Sequence, residues 1–491
     1  MRKVIVVLLC FSLLGGVLTA QEESETTEPD DTQAEEDGGD EPAGEEDGAD
    51  EPAGDEPGSA FSFGLDLGLG VQSFDDGGDE ETVTYQSLSL FPDFGFGRFG
   101  LGLDLSLNYR FTGGNGNDEF EVREEDWVPQ KGVNFFELYL PKIRYLRYGA
   151  KGDPFFALFG SYSNARLGNG FLVSDYSNEQ YVPGRRQFGL QLDFDGAGVD
   201  FPYFGVETFV SNVASFDLFG TRLFARPLTD LSVPLLPELQ VGGTVVVDNN
   251  PAYHAEKNAD SPYYKGDDPP PLTGLPKIKA ENNVLAYGFD LSQPILHREL
   301  LSLTGFGDIA FQNEAVGGMI GAGGTTVGIL DYNLQLRILG DNFIPAYFDT
   351  SYDLRRIERY IVYDADETLI EGHLGWYGRL GLNILRELLL LQLTMSGPLE
   401  ENTGTYPELQ GLLRVNPGLV PYFSLEAFYR KFYIRRAEDV VDPENAIIGA
   451  RLSYESSPVI ISLTYNLRYD PYDPEDRWKV TSGLQSTISL Y

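Results

Sequence analysis

The stretch RFGLGLDLSLNYRF, residues 98–111, puts Phe99, Leu101, Leu103, Leu105, Leu107, Tyr109 and Phe111 on one side of an extended chain. Arg98, Gly100, Gly102, Asp104, Ser106, Asn108 and Arg110 fall on the other. Side chains of a strand point to opposite faces in turn, so the segment builds one apolar wall and one polar wall. It is longer than the roughly 9–11 residues with which a tilted strand crosses a bilayer. The pattern starts at FSFGLDLGLGVQSF (61–74) and recurs at Leu285/Tyr287/Phe289/Leu291, Leu374/Trp376/Leu380/Leu382, Phe423/Leu425/Ala427/Tyr429 and Ile461/Leu463/Tyr465/Leu467. Glycine is frequent on the polar side, where a curving wall needs little crowding. No pattern of a buried apolar core runs between these stretches.

Other architectures fit less well. No apolar run approaches the roughly 18 residues of a spanning helix; ELLLLQLTM (387–395) comes nearest and suits a strand. A soluble β-sandwich also alternates, but one of this length would be unusually large for a single core. It would not carry Phe, Leu and Tyr at nearly every outward position. The expected fold is therefore all-β, a transmembrane antiparallel β-barrel. At roughly 20–24 residues per strand with its loop, residues 59–491 make about 18–22 strands, an even number being usual. Short turns are expected at 92–97, 149–153 and 195–200, and long loops at 112–133 and 248–282, where Pro269–Pro271 break any strand.

The beginning of the chain divides in two. Residues 1–20 read as an export signal: Arg2 and Lys3, an apolar stretch over 4–14, and Leu18-Thr19-Ala20 before the cut. Cys10, the sole cysteine, leaves with it, which excludes disulfides, thiolate metal sites and cysteine nucleophiles from the mature chain. Residues 21–58 hold 18 of the 76 acidic residues and no Lys or Arg. So polar and charged a stretch is expected to be a disordered acidic tail, a solvated spacer or a weak tether for cations or a basic partner. The formal net charge of −41 argues against nucleic acid as a partner.

The final stretch alternates Leu484, Ser486, Ile488 and Leu490 and ends on Tyr491. It resembles the closing strand of outer-membrane proteins, which the barrel-assembly machinery reads, although Tyr491 falls out of phase with the apolar face. LRYGAKGDPFFALFG (146–160), RLGNGFLVSDYSN (166–178), FGTRLFARPL (219–228) and LQVGGTVVVDNNP (239–251) resemble phrases of uncharacterised, porin-like bacterial outer-membrane barrel proteins of spirochaete type. The resemblance implies a fold and a bacterial outer-membrane location, with lipid around the wall, and carries over no functional residue.

The strand phase predicts which charges face the lumen: Arg98, Arg110, Arg222, Arg226, Arg379, Arg430 and Arg468, with Asp66, Asp104, Asp193, Asp290 and Glu426. They would either field a hydrated bore or pair across strands and stiffen the wall. SYSNARLGNG (161–170) is too irregular for a wall strand. It is either an ordinary external loop or an inward constriction whose Arg166 and Asn169 reach the axis. DNFIPAYFDTSYDLRRIERY (341–360) carries Arg355, Arg356 and Arg359, which would select anions or sit at a strand end among headgroups. His254, His297 and His373 form no catalytic constellation, so no enzyme is expected. Asp248, Asp260, Asp267 and Asp268 offer oxygens to Ca²⁺ but lack EF-hand spacing, so neither a metal nor a cofactor site is assigned. The expected function is porin-like diffusion of small polar solutes. A plugged structural or adhesion barrel and a hydrophobic-solute transporter are the alternatives, and oligomeric state is not legible.

Overall fold

The computed structural model describes residues 61–75, 82–112, 119–129, 135–180, 186–251, 282–298, 300–385, 388–400, 403–469 and 478–490. The export signal and acidic tail assigned to 1–58 lie outside them, as do His254, Asp260, Asp267, Asp268 and Tyr491. Within them the alternation closes on itself. Wall strands pair antiparallel with their chain neighbours, and Ser62–Asp75 pairs with Trp478–Leu490 from Leu65↔Leu490 to Gln72↔Gly483. Phe99–Leu103 and Leu105–Thr112 are one wall strand broken at Asp104, and Glu119–Val122 and Ile143–Tyr148 flank it in succession. Val173–Ser174 and Phe348–Asp349 form a separate pair. The result is an all-β transmembrane barrel of 20 antiparallel wall strands, within the expected range.

Side-chain exposure follows the period of two. Leu223, Phe289, Ile320 and Ile338 are exposed by 61, 60, 66 and 65%, whereas their chain neighbours Arg222, Asp290, Met319 and Arg337 are buried. An outward apolar face this continuous belongs in hydrocarbon. Closure pairs the backbone groups that an open sheet edge would leave bare there.

The short turns share one end of the barrel with both chain ends of the wall. Residues 149–154 and 196–203 turn as expected. The strand Thr82–Phe96 runs further than expected, because Asp93 to Gly95 still pair with both neighbours and Phe96 with Phe99, leaving only 97–98 as the turn. Arg98 thus sits in a turn opened by Gly97 at φ +53°, directly before Phe99, with its carbonyl accepting from Gly149 N–H at 2.9 Å. Arg226 likewise follows the end of Leu218–Ala225. The long loop expected at 112–133 is interrupted by the strand Glu119–Val122, and most of 248–282 lies outside the described residues.

At the other end, residues 161–180 of one connection and 340–372 of another turn inward. They meet in parallel through Phe348↔Val173 and Asp349↔Ser174. The second holds a helix, Tyr352–Tyr363, kinked at Arg355. Phe171, Val173 and Tyr176 of the first pack with Phe343, Tyr347, Phe348 and Tyr352 of the second. This cluster rests on the inward-facing Phe209, Val246, Ala286, Ala310 and Met319. The barrel therefore has an apolar core after all. It is made from loop aromatics against small inward wall residues, a combination with no period to betray it. Each fully buried aromatic contributes on the order of 1.5–3 kcal/mol.

The facing assignment is directly testable. Leu463 is exposed to the outside and its neighbour Thr464 turns inward. Leu463→Arg is expected to cost about 2–4 kcal/mol and deplete the folded band in heat-modifiable gel mobility, while Thr464→Arg assembles nearly as the parent.

Candidate functional site

The interior is organised by two charged clusters and the space beside them. In the first, the Arg222 guanidinium grips Asp290 with Nε at 2.9 Å and Nη2 at 2.6 Å, and Nη1 donates to Glu207 at 3.0 Å. A planar fork on a carboxylate is the strongest geometry such a pair offers. The tip of the first inward connection docks on this cluster. Gly168 donates its N–H to Glu207 at 2.8 Å, and Asn169 Nδ2 donates to Asp308 at 2.7 Å. Gly168 has φ +53°, and a Cβ there would lie 2.8 Å from Arg222 Nε, so both backbone and space require glycine. Behind the tip, Asn178 accepts from Tyr162 N at 2.8 Å and donates to the carbonyls of Gly160 and Ser211. Residues 161–170 thus fold inward, but neither suggested axial side chain is free in the bore. Asn169 is spent on the wall, and Arg166 bonds Ser174 at 3.0 Å within its own connection.

The second cluster holds the helix. Arg356 is buried, with Nε and Nη2 on Asp248 at 2.5 and 2.6 Å and Nη1 on Asp217 at 2.8 Å. Tyr352 also donates to Asp248, at 2.5 Å, so this carboxylate is not available for Ca²⁺. Arg359 and Arg430 share Asp349 at 2.7 and 2.6 Å. Burial would raise the Asp349 pKa, but these two guanidinium groups overcome it and hold the carboxyl below the usual range. Arg355 pairs with Glu358 at 2.8 Å and lies 3.4 Å from Glu408. The three arginines of 355–359 are therefore inside the barrel, not among headgroups, and each is already paired.

Asp353 is the acid of the helix that faces the first connection. Tyr176 and Gln187 donate to it at 3.2 and 3.3 Å. Burial pushes its pKa up to about 7; Arg356 opposes the shift, and Asp217 and Asp248 add to it. It is a carboxyl at the joint between the two inward connections.

Between the helix and the wall strands Leu330–Leu339, His373–Ile384, Leu389–Pro398, Glu408–Val420 and Phe423–Lys431 lies a cavity of about 380 Å³. Its charges are Arg337, Arg355, Arg359 and Arg430 against Asp175, Asp349, Glu358 and Glu408. Each of these carboxylates lies within 4 Å of an arginine other than Arg337, Asp175 through Arg379 at 3.2 Å. Arg337 is 5% exposed. Its Nε and Nη2 both donate to Gln335 Oε1, at 3.0 and 2.7 Å, and its carbon lies 4.6 Å from the Tyr377 ring centre. Among the described residues no carboxylate lies within 4 Å of it, although Asp308 acts on it from further off. LDYNLQLRIL (330–339) alternates Asp331, Asn333, Gln335 and Arg337 against apolar residues, so the same phase argument could have found this residue.

The other charges named from the sequence sit apart from this cavity or at its margin. Arg110 pairs with Glu121 across adjacent strands at 2.8 Å, and Arg379 also donates to Gln392 at 2.8 Å. Asp104 pairs with Arg186 and Asp193 with Lys151, both at 2.6 Å, and Glu426 lies 3.6 Å from Arg414. Arg226 pairs with Asp195 at 2.6 Å beside the turn. Asp66 and Arg468 are half-buried in Ser62–Asp75 and Val459–Tyr469. His297 is exposed near a strand end, and His373 Nδ1 lies 2.8 Å from the Glu371 carbonyl. Among the described residues no group of His, Cys, Asp and Glu has the spacing to hold a metal.

No family model matches the chain, and no curated protein matches it. Solved structures superpose on it loosely. OpdL of Pseudomonas aeruginosa is 11% identical, with 88% of this chain and 98% of that one covered and a TM-score of 0.30. OpdQ of the same organism is 7% identical, with 88 and 97% covered and a TM-score of 0.31. A mutant Rh. blastica porin is 8% identical, with 88 and 100% covered and a TM-score of 0.26.

The joint at Asp353 gives a pH dependence. A carboxyl whose folded pKa is raised supports packing in its protonated form, and that support is lost as pH rises through about 7. Amide exchange in 352–363, corrected for its intrinsic rate, is expected to quicken about tenfold between pH 5.5 and 8.5. Asp353→Asn should flatten the profile.

Proposed function

We propose that this chain is an outer-membrane channel for passive diffusion of small polar solutes, with a mild preference for anions. The observation that carries the reading is the charge-lined cavity beside the inward helix. A barrel of 20 strands encloses more space than its inward side chains can fill, since 16–18 strands already leave an aqueous channel. Fixed charges of both signs hydrate such a space. Among the described residues no carboxylate lies within 4 Å of Arg337, and Asp308 acts on it from further off, so its guanidinium lowers the energy of a passing anion more than that of a cation. The paired arginines contribute little to selectivity, because each is cancelled locally. That includes Arg379, which Asp175 balances. Exposed apolar residues around the wall make lipid the surrounding partner, and assembly would go through the barrel-assembly machinery.

A second reading has an observation of its own. The aromatic cluster between the inward connections is the packing of a plug, and it favours a closed barrel whose external loops make the contacts that matter.

Purified protein in planar bilayers separates the two. A channel gives stepwise ohmic conductance, and Arg337→Gln is expected to move the reversal potential toward cation selectivity by several millivolts in a tenfold salt gradient. Protein that folds by gel mobility yet never conducts would reject the channel in favour of the plug.

A further inference from the structure

At the short-turn end one connection differs from the rest. Residues 226–239, RPLTDLSVPLLPEL, are far longer than 97–98, 421–422 or 457–458. They are apolar, and Leu231, Val233, Leu235 and Leu236 are exposed. Such a segment normally buries those side chains or lies where water is scarce.

The segment's position follows from Gln293. In Val284–Arg298 the side chains of Leu285, Tyr287, Phe289 and Leu291 are exposed on the outside, and Gln293 continues that row opposite Gly305. A primary amide facing hydrocarbon is costly unless its N–H groups are bonded. Gln293 Nε2 donates to the carbonyls of Leu235 and Pro294, both at 2.8 Å. Residues 226–239 therefore fold back along the outside of the wall and do not cover the mouth of the barrel. They are fixed there. Arg226 pairs with Asp195 at 2.6 Å and the Tyr203 hydroxyl donates to Asp230 at 3.0 Å, which joins the segment to the turn 196–203. That turn exposes Val199, Phe201 and Tyr203. Leu235 is held at φ +75°, a conformation a leucine adopts only when its surroundings impose it.

We propose that residues 226–239, with the neighbouring turn 196–203, form a foot that inserts into the acyl-chain border of the leaflet at the short-turn end. The inference rests on the membrane-spanning reading of the barrel. Continuity argues for lipid as the occupant. The patch runs directly into the exposed Leu223, Val241 and Leu291 of the wall, which already face hydrocarbon. Pro227, Pro234 and Pro237 lack an N–H, so the segment is a poor edge for strand pairing with a second copy. Its one basic residue, Arg226, is already paired, so it offers no basic patch to an acidic protein. An apolar segment with aromatic neighbours and little free charge is the composition of an interfacial anchor.

The test places an environment-sensitive fluorophore on Val233→Cys in the full chain carrying Cys10→Ser, refolded into phosphatidylcholine vesicles. Leu223→Cys on the wall and Glu314→Cys on the long-loop end serve as lipid and water references. Quenching by acyl-chain-brominated lipid within twofold of the Leu223 label, with iodide quenching at least threefold below the Glu314 label, is the expected result. Loss of at least half of the lipid quenching in a Leu231→Ser/Leu236→Ser background, with gel mobility intact, would support the foot further. A Val233 label that behaves like Glu314 while Leu223 is quenched would overturn the foot and leave the barrel standing. Oxidative Val233→Cys dimers without lipid quenching would overturn it in favour of a second copy. A Leu223 label that is not quenched would bring down the membrane-spanning barrel and the foot together.

Discussion

Hydrocarbon offers no partner to an unpaired amide, and that one constraint organises this chain. A spanning segment made of strands must pair every backbone group with a neighbour, so the sheet must close. Closure here is made by the first and last wall strands, Ser62–Asp75 and Trp478–Leu490. Once the sheet is closed, a period of two sends each side chain either to lipid or to the interior. The exposed Leu223 beside the buried Arg222 is that rule at a single peptide bond.

Closure by 20 strands creates a second problem, because the interior becomes too wide for wall side chains to fill. The chain answers with two inward connections and two kinds of glue. Aromatic side chains pack on small wall residues such as Ala286 and Ala310. Arginine–carboxylate pairs fix the positions, with Arg222 of the wall beneath the first connection and Arg356 of the second reaching Asp248 and Asp217. A buried pair of this kind stabilises little over an apolar substitute, yet removing one partner strands the other charge at a cost of several kcal/mol. These pairs therefore set where the connections sit more than how tightly they are held.

The wall was legible in the sequence because period-two alternation needs only local reading. The facing of Arg222, Asp290 and Arg430 followed from phase alone, and the strand count followed from length. Arg98 and Arg226 each stand one residue outside a strand, where one backbone bond still continues the ladder, Gly149 N–H to the Arg98 carbonyl and Arg226 N–H to the Tyr203 carbonyl. The inner connections were harder. Arg355, Arg356 and Arg359 look like a basic patch in one dimension. Their partners Asp217, Asp248, Asp349 and Glu408 lie up to 139 positions away, and no local pattern reports such a pairing. The interior aromatics Phe171, Tyr176 and Tyr347 are hidden for the same reason, since irregular loops have no period to follow. Arg337 is legible in the same way, on the polar phase of the strand Leu330–Leu339.

The small parallel pair Phe348–Asp349 with Val173–Ser174 carries a consequence for how the molecule comes into being. Parallel partners cannot be made by a hairpin, and eight of the 20 wall strands, from Gly189–Asp195 to Leu330–Leu339, lie between these two in the chain. Neither partner can find the other until the intervening hairpins have curved far enough to bring positions 174 and 349 face to face. The interior must therefore be stitched after the eight strands between them exist. Until then the aromatic filling is a sticky burden that the growing sheet has to carry unprotected.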